Sequence, residues 1–169
     1  MKQLLLLRHA KSSWDDPDLD DFDRPLAERG VKAARLMGRE LAARHWLPDL
    51  VLVSAALRTR DTWRLAAAEL STHPRSAFTE ALYGASAKDI LNQVHQADAP
   101  CGSLLVVGHN PGLEDLAKQL AGSGSETKAR KRLDEKFPTS ALARFVFEGG
   151  WPGLSVARLT HCLRPKDLG

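Results

Sequence analysis

Apolar positions along the chain alternate between a strand-like and a helix-like rhythm. Lys2–Arg8 contains the unbroken run Leu4-Leu5-Leu6-Leu7, which predicts a short strand buried on both faces. A polar stretch rich in aspartate, 9–25, follows and predicts a long loop. Over 27–45, Val31, Ala34, Met37 and Leu41 recur at helical spacing. Pro48-Asp49 breaks that pattern, and Leu50-Val51-Leu52-Val53 predicts a second buried strand. Trp63, Ala66, Ala67 and Leu70 mark a second helix, and 76–78 a short third strand. Ser86 and Asp89 form a capping box in its aspartate variant, opening a helix that turns Ile90, Leu91 and Val94 inward. Leu104-Leu105-Val106-Val107 reads as another buried strand. Pro111 stands near the start of a helix whose stripe is Leu113, Leu116, Ala117 and Leu120. The segment 122–137 is polar and reads as irregular. Last come 139–147 and 154–163, two strands joined by a turn at Gly149-Gly150 and therefore antiparallel to each other.

Strands alternating with helices predict an α/β fold: one domain spanning 1–169, with a mostly parallel central sheet flanked by helices on both faces and an antiparallel strand near the C-terminus. A chain of 169 residues is long enough to bury a core without disulfides or a structural metal. Its 43% hydrophobic and 27% charged residues exclude a disordered chain. No apolar run approaches the roughly 18 residues of a membrane span, and the run at Leu4 ends too soon for a signal-peptide core. These features point to a cytoplasmic protein without membrane association. Cys101 and Cys162 form no metal or redox motif and suit a reducing compartment. The net charge of +3 is compatible with a phosphorylated partner without requiring one.

Parallel sheets bind ligands beyond the carboxyl ends of their strands. Residues with useful chemistry stand there: Arg8-His9 after the first strand, Ser54 and Arg58 after the second, and Gly108-His109-Asn110 after the strand from Leu104. A neutral imidazole can attack phosphorus, and the resulting phosphoramidate hydrolyses readily. Such an attack needs positive charge on the phosphoryl oxygens, which arginine supplies as a planar two-toothed fork. Each group alone is more often structural than catalytic; four of them converging at three strand ends are hard to assign to packing.

In this arrangement the sequence resembles the histidine phosphatase superfamily, and within it the small SixA-like phosphohistidine phosphatase branch. Leu4-Leu5-Leu6-Leu7-Arg8-His9-Ala10 is similar to the first strand and its Arg-His motif. Arg24-Pro25-Leu26 with Arg29-Gly30, the run from Val53 through Arg58 to Thr62, Val106-Val107-Gly108-His109-Asn110-Pro111 and Pro138-Thr139-Ser140-Ala141 match further segments in family order. The resemblance implies that His9 is the nucleophile, that Arg8, Arg58 and His109 complete the phosphate pocket, and that no metal or other cofactor takes part. Larger members place an acidic proton donor after the second arginine; Glu80, just before Leu82-Tyr83, is the candidate here, against the alternative of a solvated residue at a strand end. Ala10 stands where mutase-like branches usually have glycine. The implied substrate is phosphohistidine on a protein. A small phosphomonoester such as a phosphosugar or nucleotide is the alternative, and a non-catalytic phosphate-binding module a further one.

Two charge clusters remain. Lys128, Arg130, Lys131 and Arg132 read first as a solvated loop and second as a docking surface for an acidic protein. Nucleic acid is disfavoured, because acidic residues nearly balance the basic ones and no aromatics interleave. Asp15, Asp16, Asp18, Asp20, Asp21 and Asp23 lack the glycine and terminal glutamate of an EF-hand and read as a solvated loop. The sequence leaves the oligomeric state open.

Overall fold

The computed structural model describes residues 1–98 and 100–168. The chain forms strands β1 (Lys2–Arg8), β2 (Leu50–Ser54), β3 (Arg75–Thr79), β4 (Ser103–Gly108), β5 (Leu142–Phe147) and β6 (Arg158–Leu163). They make one sheet in the order β3-β2-β4-β1-β5-β6. β1 to β4 run parallel; β5 is antiparallel to both β1 and β6. The helices are α1 (Glu28–Ala43), α2 (Leu57–Ala67), α3 (Ala87–His95), α4 (Gly112–Leu120) and α5 (Thr127–Glu135).

The strand sequences explain the layers. Successive side chains of a strand face opposite sides, so Leu5 and Leu7 of β1 join Leu105, Val107, Val51 and Val53 under Met37 and Leu41 of α1 and Trp63 and Ala66 of α2. Leu4 and Leu6 face the other way, with Leu104 and Val106, under α3, α4 and α5. All four leucines of the run are fully buried, as a central strand covered on both faces requires.

Three expectations need correction. The segment 122–137 is not irregular throughout: it contains α5, whose Ala129 and Leu133 bury against the core while its charged residues face outward. The cluster Lys128, Arg130, Lys131 and Arg132 is thus the polar face of a helix, and Arg130 and Arg132 are bonded to the carbonyls of Ala121 and Cys162. The second helix starts earlier than its apolar stripe and ends before Leu70, so Arg58 lies in its first turn. The aspartate-rich stretch is exposed as expected but is not loop throughout, because Asp21–Asp23 forms a 3₁₀ turn tied to α2 through Arg58. The capping box at Ser86 and Asp89 is present as predicted.

Candidate active site

Backbone register builds half of the site. In the parallel β1–β4 ladder Arg8 is level with Gly108. His9 and His109 are therefore each the first residue past neighbouring strands, and their rings lie 5.3 Å apart. His9 is held by three main-chain contacts: its N–H donates to Gly108 O (3.0 Å), its carbonyl accepts from Ser140 N (3.0 Å), and its Nδ1 lies 2.7 Å from Ala10 O. A carbonyl only accepts, so Nδ1 must carry the proton and Nε2 the lone pair. Burial is the main reason that the His9 pKa falls to about 3, helped by the charges of Arg58 and Arg8; the ring stays neutral at physiological pH. A neutral imidazole with a free Nε2 is the nucleophilic form.

His109 Nε2 is 2.7 Å from Ser54 Oγ. That oxygen also accepts, weakly, from Ala56 N at 3.5 Å, and its rotatable hydroxyl can donate to His109; in that tautomer the partnerless Nδ1 of His109 is the N–H donor. Burial, then Arg58, lowers the His109 pKa to about 4, so this ring is neutral too.

The two arginines are held differently. Arg8 Nη1 donates to the carbonyl of Phe137 (3.2 Å), which also accepts from Asn110 Nδ2 (2.8 Å). Arg58 comes from the start of α2, where an anion is favoured by the helix dipole. Its fork closes on one residue: Nη1 on Asp21 O (2.6 Å) and Nη2 on Asp21 Oδ2 (3.0 Å). Tyr83 donates its hydroxyl to the same Oδ2 (2.6 Å), and Arg24 Nε donates to Oδ1 (3.2 Å). The hydroxyl of Tyr83 and then the guanidinium of Arg58 hold the Asp21 pKa down at about 2. The Tyr83 ring meets His109 edge-on, with centroids 5.6 Å apart.

Buried polar side-chain atoms almost always have a partner. Among the described residues the exceptions are Arg8 Nε, Arg58 Nε, His109 Nδ1 and Ser140 Oγ. Ser140 is also strained: it is a non-glycine residue at φ 65° whose N–H fixes the His9 carbonyl. Unsatisfied groups and local strain thus collect around one imidazole.

Arg8, His9, Arg58 and His109 are accordingly brought together as the sequence suggests. Glu80 opens a 3₁₀ turn directly after β3, at the same end of the sheet; its exposed carboxylate makes no hydrogen bond or ion pair among the described residues, and its carbonyl accepts from Tyr83 N. Asp21 and Tyr83 were not singled out by the sequence. Six similar aspartates hid the first, whereas Tyr83 is the chain's one tyrosine and offered a signal. Among the described residues no group of three or more histidine, cysteine or carboxylate side chains is placed to hold a metal ion.

Known proteins share this fold and much of this sequence. A solved structure of a candidate phosphohistidine phosphatase SixA from Nakamurella multipartitia superposes with a TM-score of 0.83 at 30% identity, over 97% of this chain and 96% of that one. Another, from Agrobacterium tumefaciens, gives 0.80 at 31% identity over 97% and 99%. The Mycobacterium tuberculosis protein Rv1276c is 40% identical over 146 residues, covering 86% of this chain and 89% of its own. The model of the histidine phosphatase superfamily (branch 1) matches residues 4–100, more than half of the sequence and a span that includes Arg8, His9 and Arg58. By fold, by sequence and by the order of its motifs, the chain belongs to the histidine phosphatase superfamily, with SixA proteins among its structural neighbours.

Proposed function

We propose that this protein is a phosphatase that works through a phosphorylated His9 and removes phosphate from phosphohistidine in a protein. The observation that carries the reading is a neutral, buried imidazole with its Nε2 lone pair unused, next to the unsatisfied donors of Arg8, Arg58 and His109. The SixA neighbours at 30% and 31% identity support phosphohistidine as the substrate class. His9 Nε2 attacks phosphorus in line with the leaving group; the new P–N bond forms as the bond to the leaving group breaks. Arg8, Arg58 and the Nδ1–H of His109 take the charge on the three phosphoryl oxygens. Two guanidiniums supply the charge that a metal supplies in other phosphoryl-transfer sites, so the reading needs no metal. Water then attacks the phosphorus of phospho-His9, releasing inorganic phosphate and restoring neutral His9.

The leaving group separates the two enzyme readings. A phosphohistidine leaves as neutral imidazole once its other ring nitrogen carries a proton, whereas an alkoxide needs a proton from a positioned acid, worth ~10²–10⁴-fold. The exposed Glu80 at the same end of the sheet is the feature that favours an ester substrate. The test is kcat/KM for wild type and Glu80→Gln on a phosphohistidine peptide and on a panel of phosphomonoesters. The proposed function predicts that wild type prefers phosphohistidine and that Glu80→Gln depresses only the ester activity, by roughly a hundredfold. A wild-type preference for one ester, lost in Glu80→Gln, would make the protein a small-molecule phosphatase instead.

A further inference from the structure

A groove of about 390 Å³ is lined by Lys11, Arg29, Pro138, Thr139, Arg164 and Lys166, with Ala33 and Pro165. It shares two chain segments with the phosphate pocket. Lys11 is two residues beyond His9, and its carbonyl accepts from Ala27 N (2.8 Å), where the chain enters α1. Thr139 lies between Phe137, whose carbonyl holds Arg8, and Ser140, whose N–H holds His9. Gly30 permits this junction: a Cβ there would stand 2.1 Å from Lys11 O. A ligand seated in the groove would therefore lie along the chain segments that fix the nucleophile.

The charges of the groove are left over. Arg164 is neutralised by Glu135 (3.1 Å) and Asp167 (2.8 Å). Lys11, Arg29 and Lys166 have no ion-pair partner among the described residues. The acidic loop reaches the phosphate pocket at Arg58 through Asp21, whereas the groove is lined by the chain segments that follow His9 and that hold Arg8 and His9. The mouth of the site is thus electrically lopsided, and a substrate with negative charge on one side of its phosphoryl group has one favourable orientation.

We propose that this groove docks an acidic stretch of the protein substrate, adjacent to the phosphohistidine that enters the pocket. The inference rests on the phosphohistidine reading above and adds what must surround the phosphorylated residue. A concave surface with Pro138 and Ala33 among three unpaired cations suits extended peptide carrying carboxylates. Its lining has no aromatic residue on which nucleic-acid bases could stack.

The test uses the full chain and two phosphohistidine peptides of equal length, one with aspartate and glutamate beside the phosphohistidine, the other with asparagine and glutamine. For wild type at low ionic strength the KM for the acidic peptide should be about tenfold lower, and the advantage should shrink as salt screens it. Arg29→Gln/Lys166→Gln should reduce the preference, and Arg29→Glu/Lys166→Glu should abolish it, while both keep wild-type kcat/KM on p-nitrophenyl phosphate, which fills only the pocket. Equal KM values for the two peptides in wild type, or a preference that survives charge reversal, would overturn the groove while leaving the phosphohistidine reading intact. Turnover of p-nitrophenyl phosphate with neither peptide accepted would instead overturn that reading and the groove with it. A single-stranded DNA of matched charge that inhibits as well as an unphosphorylated acidic peptide would overturn the choice of a protein partner.

Discussion

The two sides of the proposed phosphate pocket are built by different means. Arg8, His9 and His109 stand at the ends of paired strands, and main-chain bonds of the β1–β4 ladder and the 137–140 segment fix their positions. Arg58 stands on a helix and is aimed by side chains: Asp21 closes its fork, with Tyr83 and Arg24 holding Asp21. The first side is set by the register of the sheet. The second holds a carboxylate against the guanidinium that, in the proposed function, engages the phosphoryl group, so its aim depends on a few exchangeable hydrogen bonds. Substitutions should therefore act sharply on the strand side and by graded amounts on the Asp21 side.

The largest effect on the Asp21 side should come from removing the charge itself. Arg58→Ala should cut kcat/KM by about 10³-fold or more, at the low end of what a phosphoryl-stabilising arginine supplies, and should weaken the inhibition by tungstate or vanadate in parallel. Retention of wild-type oxyanion inhibition would place Arg58 outside the pocket.

Acid separates the two sides through stability. His9 and His109 have folded pKa values near 3 and 4, both below the ordinary 6.5, so the unfolded chain binds more protons than the native one as the pH drops. Their contribution is complete above pH 6.5 and is lost as the pH falls through 6.5 toward those values. Between pH 7 and 5 the loss should be about 2 kcal/mol for each histidine. Asp21, held down at about 2 from 3.8, keeps its ion pair over that whole range, and its contribution to stability is lost only as the pH falls from about 4 through about 2. Urea unfolding at pH 7 and pH 5 measures the first effect, and replacing either histidine with asparagine should remove about half of it. NMR titration of the two imidazoles should show both neutral at pH 5; a midpoint near 6.5 for His9 would remove the buried neutral nucleophile.

Smaller effects probe the aim of Arg58. Asp21→Asn keeps the shape but loses the charged partner, and should lower kcat about tenfold, in line with one charge-assisted hydrogen bond. Tyr83→Phe removes a single hydrogen bond to Asp21 and should lower kcat roughly threefold to fivefold. If Tyr83→Phe proves as severe as Asp21→Asn, the hydroxyl acts on the substrate and not through Asp21.

The same division governs what could be read from the sequence. The strand side was legible because a rule of geometry points to it: buried apolar runs mark the strands, and the polar residue just beyond each run is where a parallel sheet binds its ligand. Arg8-His9 and Gly108-His109 follow such runs directly. Asp21 was not legible, since it lies in a loop with Asp15, Asp16, Asp18, Asp20 and Asp23, and only the folded chain brings it to Arg58. α5 escaped for a related reason. Over Thr127–Glu135 its buried stripe is just Ala129 and Leu133, too sparse to show a period among so many charges; packing of that stripe onto the core forms the helix. Glu80 could be placed after a strand, but its function depends on a leaving group that the sequence does not contain.

The central claim is that His9 Nε2 takes the phosphoryl group. The most direct measurement is to mix the protein with a ³²P-phosphohistidine peptide, quench by denaturation at high pH within the first turnovers, and locate the label. The predicted result is a base-stable, acid-labile phosphoryl group on the peptide containing His9, absent from His9→Ala, which should also show no turnover above background. Label on any other residue, or sustained turnover by His9→Ala, would contradict the account.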